Sequence, residues 1–155
     1  MRAIGFRAEP SGVFWAVVEG TRKKPILVEN GKIVLPTAYE SVSDQLAFIR
    51  QRVVDTIERT SVDVGAIRFP ESNRRSSGTK GDDFRLRMEG VLMESFAAAN
   101  IPLNVAGAIK TIGRYIGTQA VKDYLTSDDL RGLKWPRKDA KVRESIMVAT
   151  AALGE

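Results

Sequence analysis

Arginine side chains offer the clearest chemistry in this sequence. Arg68 lies in an apolar run, VGAIRF at 64–69, and Arg74 and Arg75 follow within a few positions. A guanidinium presents a planar fork of N–H donors, which binds the oxygens of a phosphate or a carboxylate in pairs. The segment therefore predicts an anion-binding site at the end of a buried strand.

Two residue types with common catalytic roles are missing from the chain. Its 155 residues include no histidine and no cysteine. This composition excludes disulfides, thiolate nucleophiles, zinc sites built from Cys and His, and histidine general bases. Any catalysis would have to use carboxylates, lysine, serine, threonine or tyrosine. Any bound metal would be a hard cation with oxygen ligands, such as magnesium or manganese.

The net charge of +5 is concentrated in two stretches. Residues 68–81 contain four cations and one carboxylate, and residues 131–143 contain six cations and one carboxylate. Local basicity of this kind favours a polyanionic partner, DNA or RNA. The predicted loop at 70–81 is then either a backbone clamp over nucleic acid or a solvated loop.

The hydrophobic pattern predicts one α/β domain over residues 1–155. Three β-prone runs open the chain as an antiparallel meander, and the third contains Asn30-Gly31, a pair typical of a hairpin turn. An SVSD capping box at 41–44 begins a helix that ends near Thr60. The later elements are a strand at 64–69, a helix at about 83–99, a strand at 101–105, one or two short helices within 107–125, a loop at 127–136 and a last helix at 138–153.

The helix at about 83–99 should be well buried. Asp82 or Asp83 is its expected N-cap. Two apolar stripes run along it side by side, and a broad apolar surface indicates burial on more than one side. We expect the glycine of the second stripe to approach the sheet closely. That second stripe consists of Leu86, Gly90, Met93 and Ala97.

The order β-β-β-α-β-α-β-α-α resembles the ribonuclease H-like superfamily, and its RuvC-type Holliday junction resolvase branch in particular. The segment GAIRFPES resembles the fourth strand and its exit loop, FRLRMEGVLMESFAAANIPLNV the next helix and strand, and RESIMVATAAL the C-terminal helix. A small, uncharacterised bacterial family of this fold is similar around GTKGDDFRLRMEG. The resemblance implies a mixed five-stranded sheet, three antiparallel strands followed by two parallel ones, flanked by helices.

The same resemblance places a metal site where this chain has arginines. Active members hold one or two magnesium ions with carboxylates at the ends of the first and fourth strands and on the last helix. Here the two strand positions carry Arg7 and Arg68. A guanidinium cannot coordinate a metal. We expect the two arginines either to bind phosphate or to pair internally with Glu144, Glu9 or Glu71.

Three functions remain open, and we favour the first. The first is a catalytically degenerate protein that binds nucleic acid or phosphate without a cofactor, through Arg7, Arg68, Arg74, Arg75, Lys80, Arg85, Lys110 and Arg114. The second is a magnesium- or manganese-dependent nuclease with displaced carboxylates, Glu9, Glu71, Asp139 and Glu144. The third is a non-enzymatic interaction module, which forms a homodimer or binds a protein partner.

Two aromatic residues each have two interpretations. Tyr115 lies among Lys110, Arg114 and Lys122, and this group is either a basic helix beside a phosphate track or a solvated helix face. Trp135 either stacks on a base or packs over the core. No apolar run approaches the roughly 20 residues that cross a bilayer, and the N-terminus lacks the apolar core of a signal peptide. We expect a cytoplasmic protein without a membrane partner.

Overall fold

The protein is built on a mixed five-stranded sheet with strand order β3-β2-β1-β4-β5. The computed structural model describes residues 1–71, 79–118, 121–136 and 138–155. Strands β1 to β3 pair antiparallel, and β1, β4 and β5 pair parallel. The predicted fold class is thereby confirmed. The strands are β1 Arg2–Glu9, β2 Gly12–Gly20, β3 Pro25–Val34, β4 Val64–Arg68 and β5 Leu103–Gly107.

Helices cover both faces of the sheet, with a separate hydrophobic cluster on each. One face carries helices α1 Val42–Thr60 and α2 Lys80–Ala98. The other face carries α3 Ile109–Ile116, α4 Val121–Tyr124, α5 Ala140–Ala152 and a small hairpin of β6 Asp129–Leu130 and β7 Leu133–Lys134. The hairpin lies where a loop was predicted, and β5 begins and ends two residues later than predicted. In the part of the chain that the structure describes, no helix is long and apolar enough to cross a membrane.

The predicted hairpin turn at Asn30-Gly31 is wrong. Both residues lie inside β3, which pairs with β2 on both sides of one register shift at Val17 and Val18. Gly31 is opposite Trp15, and a Cβ at Gly31 would lie 2.9 Å from the indole ring. The glycine gives the indole room to lie across the strand, so packing against a neighbouring side chain outweighs the local turn propensity.

The helix ends follow their capping chemistry. Ser41 caps α1 as predicted, because its hydroxyl accepts from the backbone N–H of Asp44 at 3.1 Å. The N-cap of α2 is Thr79, which accepts from the N–H of Asp82 at 3.1 Å, so the predicted Asp82 or Asp83 cap is wrong by one turn. Gly117 ends α3 in the left-handed region, with φ of 79°.

Helix α2 has only one buried face. Met88, Leu92 and Phe96 are fully buried, whereas Leu86 and Met93 of the second predicted stripe are exposed. Gly90 is exposed too, and a Cβ there would meet no atom within 4 Å. The prediction of a close approach at Gly90 is therefore wrong. A helix and the sheet do meet tightly elsewhere, at glycines of the central strands.

Glycines in the central strands let helices approach both faces of the sheet. A Cβ at Gly65 in β4 would lie 2.0 Å from the ring of Phe96 in α2. A Cβ at Gly5 in β1 would lie 2.3 Å from the carbonyl oxygen of Ser145 in α5. Helix α5 therefore lies directly on β1, and this contact brings its first turns to the carboxyl end of the strand.

The two tryptophans pack on opposite faces of the sheet. Trp15 packs on the face of α1 and α2, with the Arg59 guanidinium 5.6 Å from its ring centroid. Trp135 packs on the face of α5, with the Arg143 guanidinium 5.2 Å away. The indole N–H of Trp135 donates to the Ser127 carbonyl at 3.1 Å. In the structure Trp135 therefore packs over the core, which is the second of its two interpretations.

Candidate functional site

The carboxyl ends of β1 and β4 bring two arginines side by side. Arg7 and Arg68 are register partners in this parallel pair, so their side chains leave the same face of the sheet. Glu144 on α5 faces both of them. One of its carboxylate oxygens lies 2.8 Å from Arg7 Nε and 3.2 Å from Arg68 Nε. The sequence left two roles open for these arginines, phosphate binding or internal pairing, and in the structure both pair internally with Glu144.

This arginine–glutamate cluster is largely shielded from water. Arg68 has only 7% of its side chain exposed, and Arg7 and Glu144 have 15% and 12%. Burial lowers the pKa of Arg68, Glu144 opposes that shift, and Arg7 adds to it. Within the described residues, Nε and Nη1 of Arg68 make no hydrogen bond of good geometry. The cluster is held by charge more than by directed hydrogen bonds.

Glu71 connects the cluster to α3. Its carboxylate accepts from the backbone N–H of Ile109 at 2.9 Å, and the same oxygen lies 3.7 Å from Arg68 Nη2. A carboxylate at a helix N-terminus is favoured by the exposed N–H groups there. Glu71 therefore serves as a cap of α3 and as a partner of Arg68.

A second buried pair lies on α2. Arg85 donates to Asp82 at 2.8 Å and lies 3.5 Å from the Glu89 carboxylate. Burial raises the pKa of Glu89, and this effect outweighs the attraction of Arg85 and the more distant arginines. Glu89 was not predicted from the sequence. Its signal is the i, i+4 spacing from Arg85 combined with its place beside Met88 on the buried stripe.

Glu9 lies in a separate cluster at the end of β1. Its carboxylate accepts from Lys32 and Ser11 at 2.6 Å each, and from Lys141 of α5. Burial disfavours the charged form, but the hydrogen bonds from Lys141, Lys32 and Ser11 outweigh it and lower the pKa to about 2. This cluster connects β1, β3 and α5.

The carboxylates do not fit a magnesium or manganese ion. Glu9 is held by lysines, Glu71 caps α3, and Glu144 is shared between Arg7 and Arg68. Asp139 caps α5 by accepting from the N–H of Lys141 at 2.8 Å. Among residues 1–71, 79–118, 121–136 and 138–155, no three acidic side chains are grouped so that they could hold a metal. The two guanidiniums would also repel a divalent cation.

The exposed predicted residues lie around α3 and at the start of α2. Lys110, Arg114 and Lys122 line a cavity of about 980 Å³, which Gly113 and Gly117 also line. Lys80 is exposed as the first residue of α2. Arg74 and Arg75 lie outside the described residues. The structure thus separates an ion-paired group that is buried or partly buried, Arg7, Arg68 and Arg85, from an exposed group, Lys80, Lys110 and Arg114.

Solved structures with this fold include Holliday junction resolvases. RuvC from Thermus thermophilus in complex with a Holliday junction substrate has a TM-score of 0.74 and 14% identity, over 97% of this chain and 92% of that chain. Another structure of Thermus thermophilus RuvC has a TM-score of 0.74 and 15% identity over the same shares. The yeast mitochondrial Holliday junction resolvase has a TM-score of 0.64 and 12% identity, over 96% of this chain and 76% of that chain.

The protein has the ribonuclease H-like fold of RuvC type. No protein-family model matches the sequence. No curated protein matches it either. Identities this low establish the fold alone, so function has to be argued from the site.

Proposed function

We propose that this protein binds DNA or RNA through exposed cations around α3 and does not hydrolyse the bound strand. The observation that carries the proposal is the arginine–glutamate cluster. Arg7, Glu144 and Arg68 lie where the resemblance to RuvC-type enzymes places the metal-binding carboxylates. A site filled by guanidiniums lacks the ligands for metal-assisted phosphodiester hydrolysis.

The binding role rests on the exposed cations. In the part of the chain that the structure describes, Lys110, Arg114 and Lys122 form no ion pair, and all three are exposed beside one cavity. Unpaired surface cations of this kind contact phosphates without reading sequence. The RuvC structure determined with a Holliday junction shows that a protein of this fold can bind branched DNA.

The buried arginines have a different role in this proposal. Arg68 is too enclosed to reach a phosphate without displacement of Glu144. We assign Arg7 and Arg68 to holding α5 against the sheet, which keeps the binding surface of α3 in place because α3 packs on α5 in the same hydrophobic cluster. The residues that contact phosphates in this proposal are Lys110, Arg114, Lys122 and Lys80.

Fluorescence anisotropy with labelled duplex, branched and single-stranded DNA and with RNA tests the proposal across a salt series. The variant Lys110→Glu with Arg114→Glu should lose about tenfold or more in affinity and have a smaller salt slope. The matched control is Arg52→Glu with Arg87→Glu, which makes the same charge change at exposed positions of α1 and α2. The control should bind within about twofold of the wild type.

Two results would overturn the proposal. Absence of binding at low salt would mean that the cations serve no nucleic acid. Equal losses in the two double variants would mean that attraction depends on net charge and not on the α3 surface. A denaturing gel run after addition of manganese tests the catalytic half separately, because cleavage that requires manganese and disappears with EDTA would show an active metal site.

A further inference from the structure

A second cavity, of about 410 Å³, adjoins the basic surface of α3. It shares Arg114 and Gly117 with the larger cavity. Its other lining residues include Arg22 and Lys23 from the β2–β3 turn, and Tyr115. The exposed cations therefore continue past α3 toward the turn between β2 and β3.

An aromatic ring and a guanidinium lie together beside this cavity. Tyr115 is 40% exposed, although it is a large aromatic residue. The guanidinium carbon of Arg22 lies 5.8 Å from the centroid of its ring. The guanidinium thus lies over the ring, and an exposed ring backed by a guanidinium is a surface on which a nucleobase can stack, because both groups present flat, polarisable faces.

Arg22 is held in place by backbone contacts. Its Nε donates to the Leu153 carbonyl at 2.6 Å, and its own carbonyl accepts from Arg131 Nη1 at 2.7 Å. Arg131 also donates to the carbonyl of Ile116, next to Tyr115. Because these contacts fix the Arg22 side chain before a ligand arrives, little of its side-chain entropy remains to be lost on binding.

The charges around the cavity suit a polyanion. Lys23 and Arg114 are exposed and form no ion pair within the described residues. Glu155 is the one acidic residue among the lining residues that the structure describes. A ligand with a flat apolar ring and flanking negative charges matches both the stacking surface and its rim.

We propose that Tyr115 and Arg22 form a stacking platform for a base in an unpaired stretch of nucleic acid. Lys23 and Arg114 contact the phosphates on either side of that base. In a duplex the bases stack on each other, so the platform favours single strands, gaps or the unpaired bases of a branch. This inference rests on the proposed function and adds to it the structural class of the substrate.

Anisotropy with fluorescein-labelled oligothymidylate and oligouridylate of about 12 nucleotides tests the platform. Tyr115→Ala should weaken single-strand binding by about tenfold, and Tyr115→Phe, which keeps the ring, should stay within about twofold of the wild type. Binding to a hairpin duplex of equal charge should change little in both variants. Comparing the thymidine and uridine strands shows whether DNA or RNA is preferred.

Photo-crosslinking of the wild-type protein gives a second, independent readout. An oligonucleotide with 5-iodouracil should crosslink to Tyr115, and peptide mapping should find the adduct in α3. Unchanged single-strand affinity in Tyr115→Ala, with no crosslink in α3, would overturn the platform. If Tyr115→Ala keeps its single-strand affinity and no crosslink forms in α3, but the wild type binds the duplex, then the proposed function stands and only the platform fails. If the wild type binds neither strand nor duplex, both fail.

Discussion

At the scale of single residues, Glu144 is the carboxylate that Arg7 and Arg68 share. Its carboxylate faces two guanidiniums, and the side chain of one of them, Arg68, is only 7% exposed. Replacing a buried ion pair by apolar groups can be neutral, whereas removing one partner leaves uncompensated charge. The stability of the cluster should therefore depend strongly on the carboxylate.

Glu144→Gln should lower the free energy of unfolding by about 3 kcal/mol, because Arg7 and Arg68 would remain as adjacent buried cations. Urea unfolding followed by circular dichroism measures the loss. The matched control is Glu94→Gln, which breaks the Arg50–Glu94 pair at 2.7 Å. Since both of those side chains are about half exposed, the control should change stability very little. Equal effects in the two variants would show that Glu144 is solvated.

Glu9 should give the stability curve an acid-side slope. Its pKa in the folded state is lowered from 4.5 to about 2, so the contribution is present above pH 4.5 and is lost as pH falls toward 2. Glu9→Gln should cost about 1 to 2 kcal/mol at pH 7, allowing for the solvent exposure of Lys141. Urea midpoints of the wild type and the variant, measured at several pH values, should converge below pH 4.5. A gap that is independent of pH would contradict this origin.

The sequence located some of these residues and not others. Arg7 and Arg68 were predictable because each lies at or near the end of a short apolar strand in a recognisable order of elements. The contact from Glu9 to Lys141 joins residues 132 positions apart, and no local pattern marks it. Glu144 could be named as a partner, but its sharing between two arginines depends on how closely α5 lies on β1.

At the scale of elements, Gly5 determines that close approach. A methyl group at this position would lie 2.3 Å from a carbonyl oxygen of α5 and 2.7 Å from the backbone nitrogen of Ala149. Helix backbone cannot yield as a flexible side chain does, so α5 as a whole would have to move. The arginine–glutamate cluster and the α3 surface would move with it.

Gly5→Ala should lower the free energy of unfolding by about 3 kcal/mol and weaken nucleic-acid binding, through the shift of α5. Gly90→Ala is the matched control, since the same substitution on the exposed face of α2 meets no atom within 4 Å. The control should raise stability by up to about 1 kcal/mol through helix propensity. Thermal and urea unfolding check both values, and a stable Gly5→Ala variant would show that α5 tolerates displacement.

Glycines also show why element predictions failed where they did. Asn30-Gly31 has the residue types of a turn, but Gly31 lies in a strand, where its lack of a side chain leaves space for the indole of Trp15. Gly90 has the spacing of a packing glycine, yet the tight contact belongs to Gly65 and Phe96. Short-range patterns specify which elements form, whereas the contacts between elements decide what each glycine does.

At the scale of the whole molecule, the fold was predicted through the resemblance to the ribonuclease H-like superfamily, which rested on the order of strands and helices. The sheet agrees with that resemblance, since three antiparallel strands are followed by two parallel ones. The small β6–β7 hairpin escaped prediction since its strands have two residues each. Among the residues that the structure describes, no group of carboxylates suits a metal ion, and this leads to a prediction for the folded protein.

Magnesium or manganese should leave the melting temperature of the wild type unchanged, and so should EDTA, because no described group of carboxylates is placed to bind the metal. Arg7→Asp with Arg68→Glu places two carboxylates beside Glu144. That variant should be less stable without metal and should gain melting temperature as magnesium is added. Differential scanning fluorimetry measures both. A magnesium-dependent rise in the wild type would contradict the arginine-filled site.

The placement of the two tryptophans gives each helical layer its own fluorophore. Trp15 lies under α1 and Trp135 beside α5, on opposite faces of the sheet. In Trp135→Phe the emission reports the first layer, and in Trp15→Phe it reports the second. If the protein unfolds in one cooperative step, the two emission curves coincide, and a layer that detaches early separates them. Intrinsic fluorescence thus resolves the molecule layer by layer without an added label.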